Sequence, residues 1–151
     1  VVFHHKWLML ALFILIWVND SGAYIVGSLM SKRKGGNHKM FPRVSPAKSW
    51  EGLIGGFVFD LIAGYVFFRV GWTASLGLTA YPLLDSLLFA LVVGVFGTLG
   101  DLMESLMKRT VGVKDSGRFM PGHGGVLDRF DSLLLAVPVV YFLFVYLPTI
   151  L

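Results

Sequence analysis

Residues 83–107 read LLDSLLFALVVGVFGTLGDLMESLM, an apolar run of 25 positions broken only by Asp85, Asp101 and Glu104 among charged residues. The run lacks the strict apolar–polar alternation of a barrel strand, and its length matches the roughly 20 residues that a helix needs to cross hydrocarbon. Unpaired backbone groups are very costly in lipid, so a helix is the default conformation for such a segment. Three further stretches have the same character: Trp7 to Met30, Leu53 to Val70 and Ser132 to Leu151. The expected fold class is therefore all-α, a polytopic membrane helical bundle of about four transmembrane helices, with residues 1–151 forming a single membrane-embedded domain.

Composition agrees with this reading. Of 151 residues, 56% are hydrophobic and 15% charged, with a mean hydropathy of +0.74, which is more apolar surface than one soluble core requires. There is no cysteine, so disulfides and thiolate metal sites are excluded, and any metal must be held by oxygen or nitrogen. The chain opens on Val1 with a short flank to Lys6 and without a secretory-type leader; it is expected to be a piece of a longer protein. A net charge of +4 is compatible with nucleic acid, but the bases lie in loops between apolar runs with no soluble domain to present them, so no nucleic-acid partner is expected. A lipid bilayer surface or a phosphate-bearing substrate fits better.

The positions of the bases orient the spans. Lys32, Arg33, Lys34, Lys39, Arg43 and Lys48 lie between the first and second spans, and Lys108, Arg109, Lys114, Arg118 and Arg129 lie between the third and fourth. These two basic loops are expected in the cytoplasm, whereas the connection from Gly71 to Pro82 carries no charge. Trp7, Trp50, Trp72 and Tyr81 fall near span ends, where amphipathic rings suit the headgroup layer. No internal repeat or low-complexity segment is present.

Polar residues inside apolar stretches mark candidate functional positions. Asn19 and Asp20 interrupt the first span, and an acid at that depth must face protein, water or a cation. The alternative is that the span ends near Val18 and Asp20 caps a second, short helix. Asp60 lies in the middle of the second span near Gly55, Gly56 and Gly64, where an interhelical hydrogen bond and a substrate contact are both open. In the first loop, Ser45 is expected to cap a helix with Pro46 at its first position, placing backbone N–H groups beside Lys48; that lysine also has a purely topological explanation.

The second loop combines glycines, bases and acids. Gly122, Gly124 and Gly125 allow a backbone to approach an anion closely, and His123 between them is a hydrogen-bond donor or proton carrier. Asp128 and Asp131 are three apart and share a helix face, so together they can grip one hard cation, with Asp101 of the third span as a further oxygen ligand. Both acids can instead complement a helix dipole, although five bases in the same loop exceed what topology requires.

The run from Ser105 to Asp131 resembles the signature of phosphatidate cytidylyltransferases, the CDP-diacylglycerol synthases. It supplies Ser105, Lys108, Arg109, Lys114, Asp115, Gly117, Pro121, His123, Gly124, Gly125, Asp128, Arg129 and Asp131 at that signature's intervals, with Met120 as the one departure. The segments Asn19 to Tyr24 and Ser45 to Gly52 also resemble family motifs, so the likeness covers most of the chain; the family's further N-terminal spans are missing. The resemblance implies a magnesium-dependent homodimer in a bacterial inner membrane that converts CTP and phosphatidic acid to CDP-diacylglycerol and pyrophosphate on the cytoplasmic face.

By the same resemblance, Asp101, Asp128 and Asp131 would surround one or two Mg2+ ions, and Lys108, Arg109, Lys114, Arg118 and Arg129 would meet the substrate phosphates. His123, Gly124 and Gly125 would position the nucleotide, Ser105 and Asp115 would join the substrate site, and Lys48 and Asp20 would complete it from the first loop and span. Two rivals remain at this point. CDP-alcohol phosphatidyltransferases also carry spaced acids on membrane helices, but their Asp-Gly-x-x-Ala-Arg start is absent; a transporter would account for Asp20 and Asp60 within spans.

Overall fold

The computed structural model describes residues 6–33, 36–76, 78–113 and 127–150, with the side chains of Lys6, Leu127, Asp128, Arg129 and Thr149 outside that description. In chain order the elements are α1 (Lys6–Ser31), a two-stranded antiparallel hairpin of β1 (Lys39–Phe41) and β2 (Ser45–Ser49), α2 (Trp50–Arg69), α3 (Pro82–Thr110) and α4 (Leu127–Tyr141). Successive helices pack against one another, and α1 also touches α3. Among the described residues, three helices, α1 from Trp7, α2 and α3, are long and apolar enough to cross a membrane.

The fourth apolar stretch differs from expectation in its regularity. It is helical as far as Thr149, but α4, 15 residues long and starting at Leu127, ends within it at Tyr141; a wider π-type turn at Phe142–Tyr146 and a 3-10 turn at Leu147–Thr149 follow. Pro138 inside α4 and Pro148 beyond it each lack an N–H and crowd the carbonyl four residues earlier, so the regular ladder cannot run unbroken.

The sequence also hides the hairpin. The turn Phe41-Pro42-Arg43-Val44 closes with Val44 N donating to Phe41 O at 3.1 Å, and Pro42 at its second position pre-sets the backbone angle. Ser45 and Pro46 consequently lie in β2, and the expected Ser45 cap is wrong: Ser49 caps α2, its Oγ accepting from Gly52 N at 3.2 Å. Three side-chain contacts fasten the hairpin to the helices. Asn37 Nδ2 donates to Gly27 O at 2.7 Å, His38 N donates to the Glu51 carboxylate at 3.1 Å, and His38 Nδ1 lies 2.6 Å from Glu51 Oε1.

The apolar core lies at the end remote from the hairpin. Leu8, Leu12 and Leu15 of α1 meet Phe67 of α2, Phe89 and Val93 of α3, and Phe144 after α4. Trp72 stacks between Phe67 and Trp7, with ring centroids 5.2 and 5.6 Å away. Beside this core, Thr73 Oγ1 donates to Ser86 Oγ, which donates to Gly64 O at 2.7 Å, so α2 and α3 are joined by a polar bond as well as by packing. Large apolar side chains such as Trp17, Ile54, Ile62 and Leu134 point outward, as they must if lipid is the solvent.

Candidate active site

Toward the hairpin end the interior becomes polar. α1 is continuous through Asn19 and Asp20, so Asp20 caps no second helix; it sits mid-helix and its side chain reaches open space. Asn19 next to it is buried where three helices meet. Its Nδ2 donates to Asp60 Oδ2 on α2 at 2.5 Å, and its Oδ1 accepts from Thr98 Oγ1 on α3 at 3.5 Å. Asp60 is fully buried and makes the interhelical hydrogen bond that the sequence left open. The node fits because Gly56 and Gly94 flank it: a Cβ at Gly94 would collide with Asp60 Oδ2, and one at Gly56 would lie 3.0 Å from Asn19 O.

Lys48, the penultimate residue of β2, extends across to α3, where its Nζ lies 2.6 Å from Asp101 Oδ2. The pair is partly buried, with side-chain exposures of 22% and 31%, and it joins the first loop to the third helix. Ser105 Oγ, one turn along α3, lies 3.4 Å from Asp101 Oδ1 as a donor. Asp131 enters from α4, which is held against α3 at Gly100; a Cβ there would stand 2.5 Å from Asp131 O. Its Oδ1 accepts from Ser132 N at 2.6 Å. Asp20, Lys48, Asp101 and Asp131 lie within electrostatic reach of one another.

Two cavities meet at Asp20. One, of about 450 Å³, lies between α1, α3 and α4 and is lined by Asp20, Asp101 and Asp131 together with Phe13, Trp17 and Leu133. The other, of about 200 Å³, lies between α1, α2 and the hairpin and is lined by Asp20, Lys48 and Thr98 with Ala23, Met40 and Leu53. The larger cavity is lined about equally by polar and apolar surface, and the smaller mostly by apolar surface. Glu104, Lys108 and Arg109 follow on α3: Glu104 is buried, close to Asp131 and 3.4 Å from Lys108 Nζ, and Arg109 Nε donates to Val44 O in the hairpin turn at 3.4 Å.

Asp20, Asp101, Glu104 and Asp131 lie within electrostatic reach of the head of α4, and carboxylate oxygen is the donor that a hard cation takes. Among the described residues no three such groups stand close enough to hold one ion, and the Asp128 side chain lies outside them.

A profile of the cytidylyltransferase family matches residues 2–147. The chain belongs to the cytidylyltransferase family. Among curated relatives it is 45% identical over 139 residues to the phosphatidate cytidylyltransferase of Haemophilus influenzae, covering 90% of this chain and 45% of that protein. To the phosphatidate cytidylyltransferase of Bacillus subtilis it is 48% identical over 130 residues, covering 86% of this chain and 44% of the relative. The enzyme of the same name from Staphylococcus aureus strain COL is 42% identical over 138 residues. The chain spans a little under half the length of these relatives.

Within this cytidylyltransferase chain, the structure brings together Asp20, Lys48, Asp101, Ser105 and Asp131 of the expected site, with Lys108 and Arg109 one to two turns farther along α3. Lys114, Asp115, Arg118, His123, Gly124 and Gly125 lie outside the described residues, and Asp128 and Arg129 are placed only as positions in the first turn of α4. Two residues of the arrangement were not singled out from sequence. Glu104 could have been found from its spacing, three residues after Asp101 and four before Lys108 on one helix face. Ser49 carries a cap signal of its own, a serine with Glu51 in the first turn after it, but the competing Ser-Pro pair four residues earlier masks it.

Proposed function

We propose that this chain carries the catalytic part of a phosphatidate cytidylyltransferase, which joins CTP to phosphatidic acid and releases pyrophosphate. The observation that supports this best is the convergence of Asp20, Lys48, Asp101 and Asp131, from three helices and a hairpin, on two adjoining cavities, one beneath the hairpin and one lined by Phe13, Trp17 and Leu133. A membrane-bound substrate and a water-soluble one must meet at such a boundary, because phosphatidate does not leave lipid readily and CTP does not enter it. By the distribution of bases, the hairpin end faces the cytoplasm, in a bacterial inner membrane.

In the reaction, a phosphate oxygen of phosphatidate forms a bond to the α-phosphorus of CTP. The bond from that phosphorus to the oxygen bridging to the β-phosphorus breaks, and its electron pair leaves with pyrophosphate. No strong base is required, since a phosphate monoester with a second pKa of about 6 is already largely ionised near neutrality. What the protein must supply is alignment of two anions and neutralisation of their charge.

Lys48, held at the junction by Asp101, and Arg109, held against the hairpin, place positive charge on two sides of the site; Lys108 follows on α3, and by the resemblance Lys114, Arg118 and Arg129 would add to it. Asp101, Asp128 and Asp131 would hold magnesium, which would screen the phosphate charges when bound. Ser105 and Asp20 would orient these acids and Lys48, and His123 with Gly124 and Gly125, next to Asp115 in the same loop, would position the nucleotide. A homodimer is the assembly that the resemblance implies.

The test is transfer of label from CTP carrying it at the α-phosphate into chloroform-soluble product, by membranes containing this chain. Label should enter lipid only when phosphatidic acid and magnesium are both added, and not with Asp131→Asn. Transfer that needs no phosphatidic acid, or that survives in Asp131→Asn, would overturn the assignment.

A further inference from the structure

We propose that Glu51 is a positioning residue: through His38 it clasps the hairpin to the head of α2 and so sets where Lys48 stands against Asp101. This proposal rests on the proposed reaction and adds to it a residue that acts on the rate through Lys48 and not by touching substrate.

The hairpin cannot hold Lys48 in place by itself. Its strands are registered by Lys39 opposite Ser49 and Phe41 opposite Ser45, with an irregularity between the two pairs. A lone two-stranded hairpin is marginally stable at best, and a lysine side chain gives up much rotamer freedom when it is fixed. Lys48 nonetheless crosses to α3 and brings Nζ to 2.6 Å from Asp101 Oδ2. Its alignment must therefore come from whatever the hairpin is tied to.

Among the described residues, the tie at Glu51 is the densest. At the hairpin turn, Arg109 Nε reaches Val44 O only at 3.4 Å, and Asn37 holds Gly27 O from ahead of β1. Glu51 instead takes three contacts on one carboxylate, with His38 N 3.1 Å from each oxygen and His38 Nδ1 2.6 Å from Oε1. An ionised carboxylate only accepts, so Nδ1 carries the hydrogen and donates it, and bonds to an ionised acceptor are roughly twice as strong as neutral ones. Trp50 N also donates to His38 O at 3.0 Å, so His38 is gripped through its N–H, its carbonyl and its ring. The ring is 86% exposed, so it adds little by packing; what it contributes is the bond to Glu51. Glu51 in turn stands in the first turn of α2, where an acid complements the helix dipole and Ser49 fixes the start of the helix. Lys48 immediately precedes that cap and lies three residues before Glu51, so the clasp bears on the segment that carries the lysine.

The test is steady-state label transfer by detergent-purified protein, with turnover counted per folded molecule by gel filtration and the thermal midpoint read beside it. Glu51→Ala should lower kcat about 10- to 100-fold, as a misplacement approaching 1 Å does where catalysis depends on alignment, and leave KM for CTP and for phosphatidic acid within twofold. Glu51→Gln keeps an oxygen that accepts from His38 N and Nδ1 and should recover most of the turnover. His38→Ala removes only the ring bond and should lower kcat severalfold, a loss that disappears in the Glu51→Ala background because the two residues make one contact. Near-normal turnover per folded molecule in Glu51→Ala, even with a lowered midpoint, would mean that the clasp serves stability alone and would overturn the proposal. Equal losses in Glu51→Gln and Glu51→Ala, or losses at Glu51 and His38 that multiply, would overturn it as well. If Glu51→Ala does not fold, His38→Ala decides, since removal of an exposed ring leaves no cavity, and an unchanged kcat there would overturn the proposal. Failure of the unsubstituted protein to transfer label would instead remove the reaction on which the proposal rests.

Discussion

Gly100→Ala should disable the site through a single methyl group. The added Cβ would stand 2.5 Å from Asp131 O and 3.2 Å from Ser132 Cα, both backbone atoms that no rotamer change can move aside. Ordinary contact begins at 3.4 Å, so the head of α4 must retreat from α3 by about 0.9 Å. Asp131 would be carried away from Asp101 by a similar distance, and a displacement of about 1 Å costs roughly 100-fold in turnover when catalysis depends on alignment. Overpacking of this kind also costs about 1–3 kcal/mol of stability.

Gly97→Ala, one turn away on the same helix, is the control, since its methyl would meet Ile16 Cγ1 and Ser132 Cβ at 3.8 Å, an ordinary contact. The assay is the label-transfer rate of detergent-purified protein at saturating CTP, with gel filtration confirming that both variants are folded. Turnover of Gly100→Ala within twofold of the unsubstituted protein, or an equal loss in Gly97→Ala, would refute the claim that close approach at Gly100 sets the site.

Three further outcomes are expected. Asp60→Asn keeps a carbonyl acceptor for Asn19 Nδ2 and should retain activity, whereas Asp60→Leu strands the buried amide and should cost about 1–3 kcal/mol, read as a lower thermal midpoint in detergent. Ser49→Ala removes the α2 cap and should destabilise by about 1 kcal/mol; an unchanged midpoint would show that Ser49 contributes nothing as a cap. Asp128→Asn and Asp131→Asn should each lose label transfer while remaining membrane-inserted, and chelation of magnesium should stop transfer by the unsubstituted protein, with recovery on its return.

The membrane-helical class of this chain was legible in composition and in the length of its apolar runs, because hydrocarbon leaves a backbone few ways to satisfy its polar groups. The second-loop signature named the family for a similar reason: Lys, Arg, Asp and glycine at set intervals are a local pattern, and the family match bears it out. Even Asp20 and Asp60 could be flagged singly, as charges at membrane depth.

Their partners could not be found that way. Nothing local ties Lys48 to Asp101 or Asn19 to Asp60, residues 53 and 41 positions apart, until the helices are packed and Gly56, Gly94 and Gly100 let them approach. The hairpin was hidden because Ser45-Pro46 is also a good helix start, and only its ties to Gly27 and Glu51 resolve the competition in favour of strand and of a cap at Ser49. Sequence therefore determined the solvent, the number of apolar segments and the chemical types available. The tertiary structure alone decided which of those groups face one another, because burial and interhelical distance belong to the packed bundle and not to any one segment.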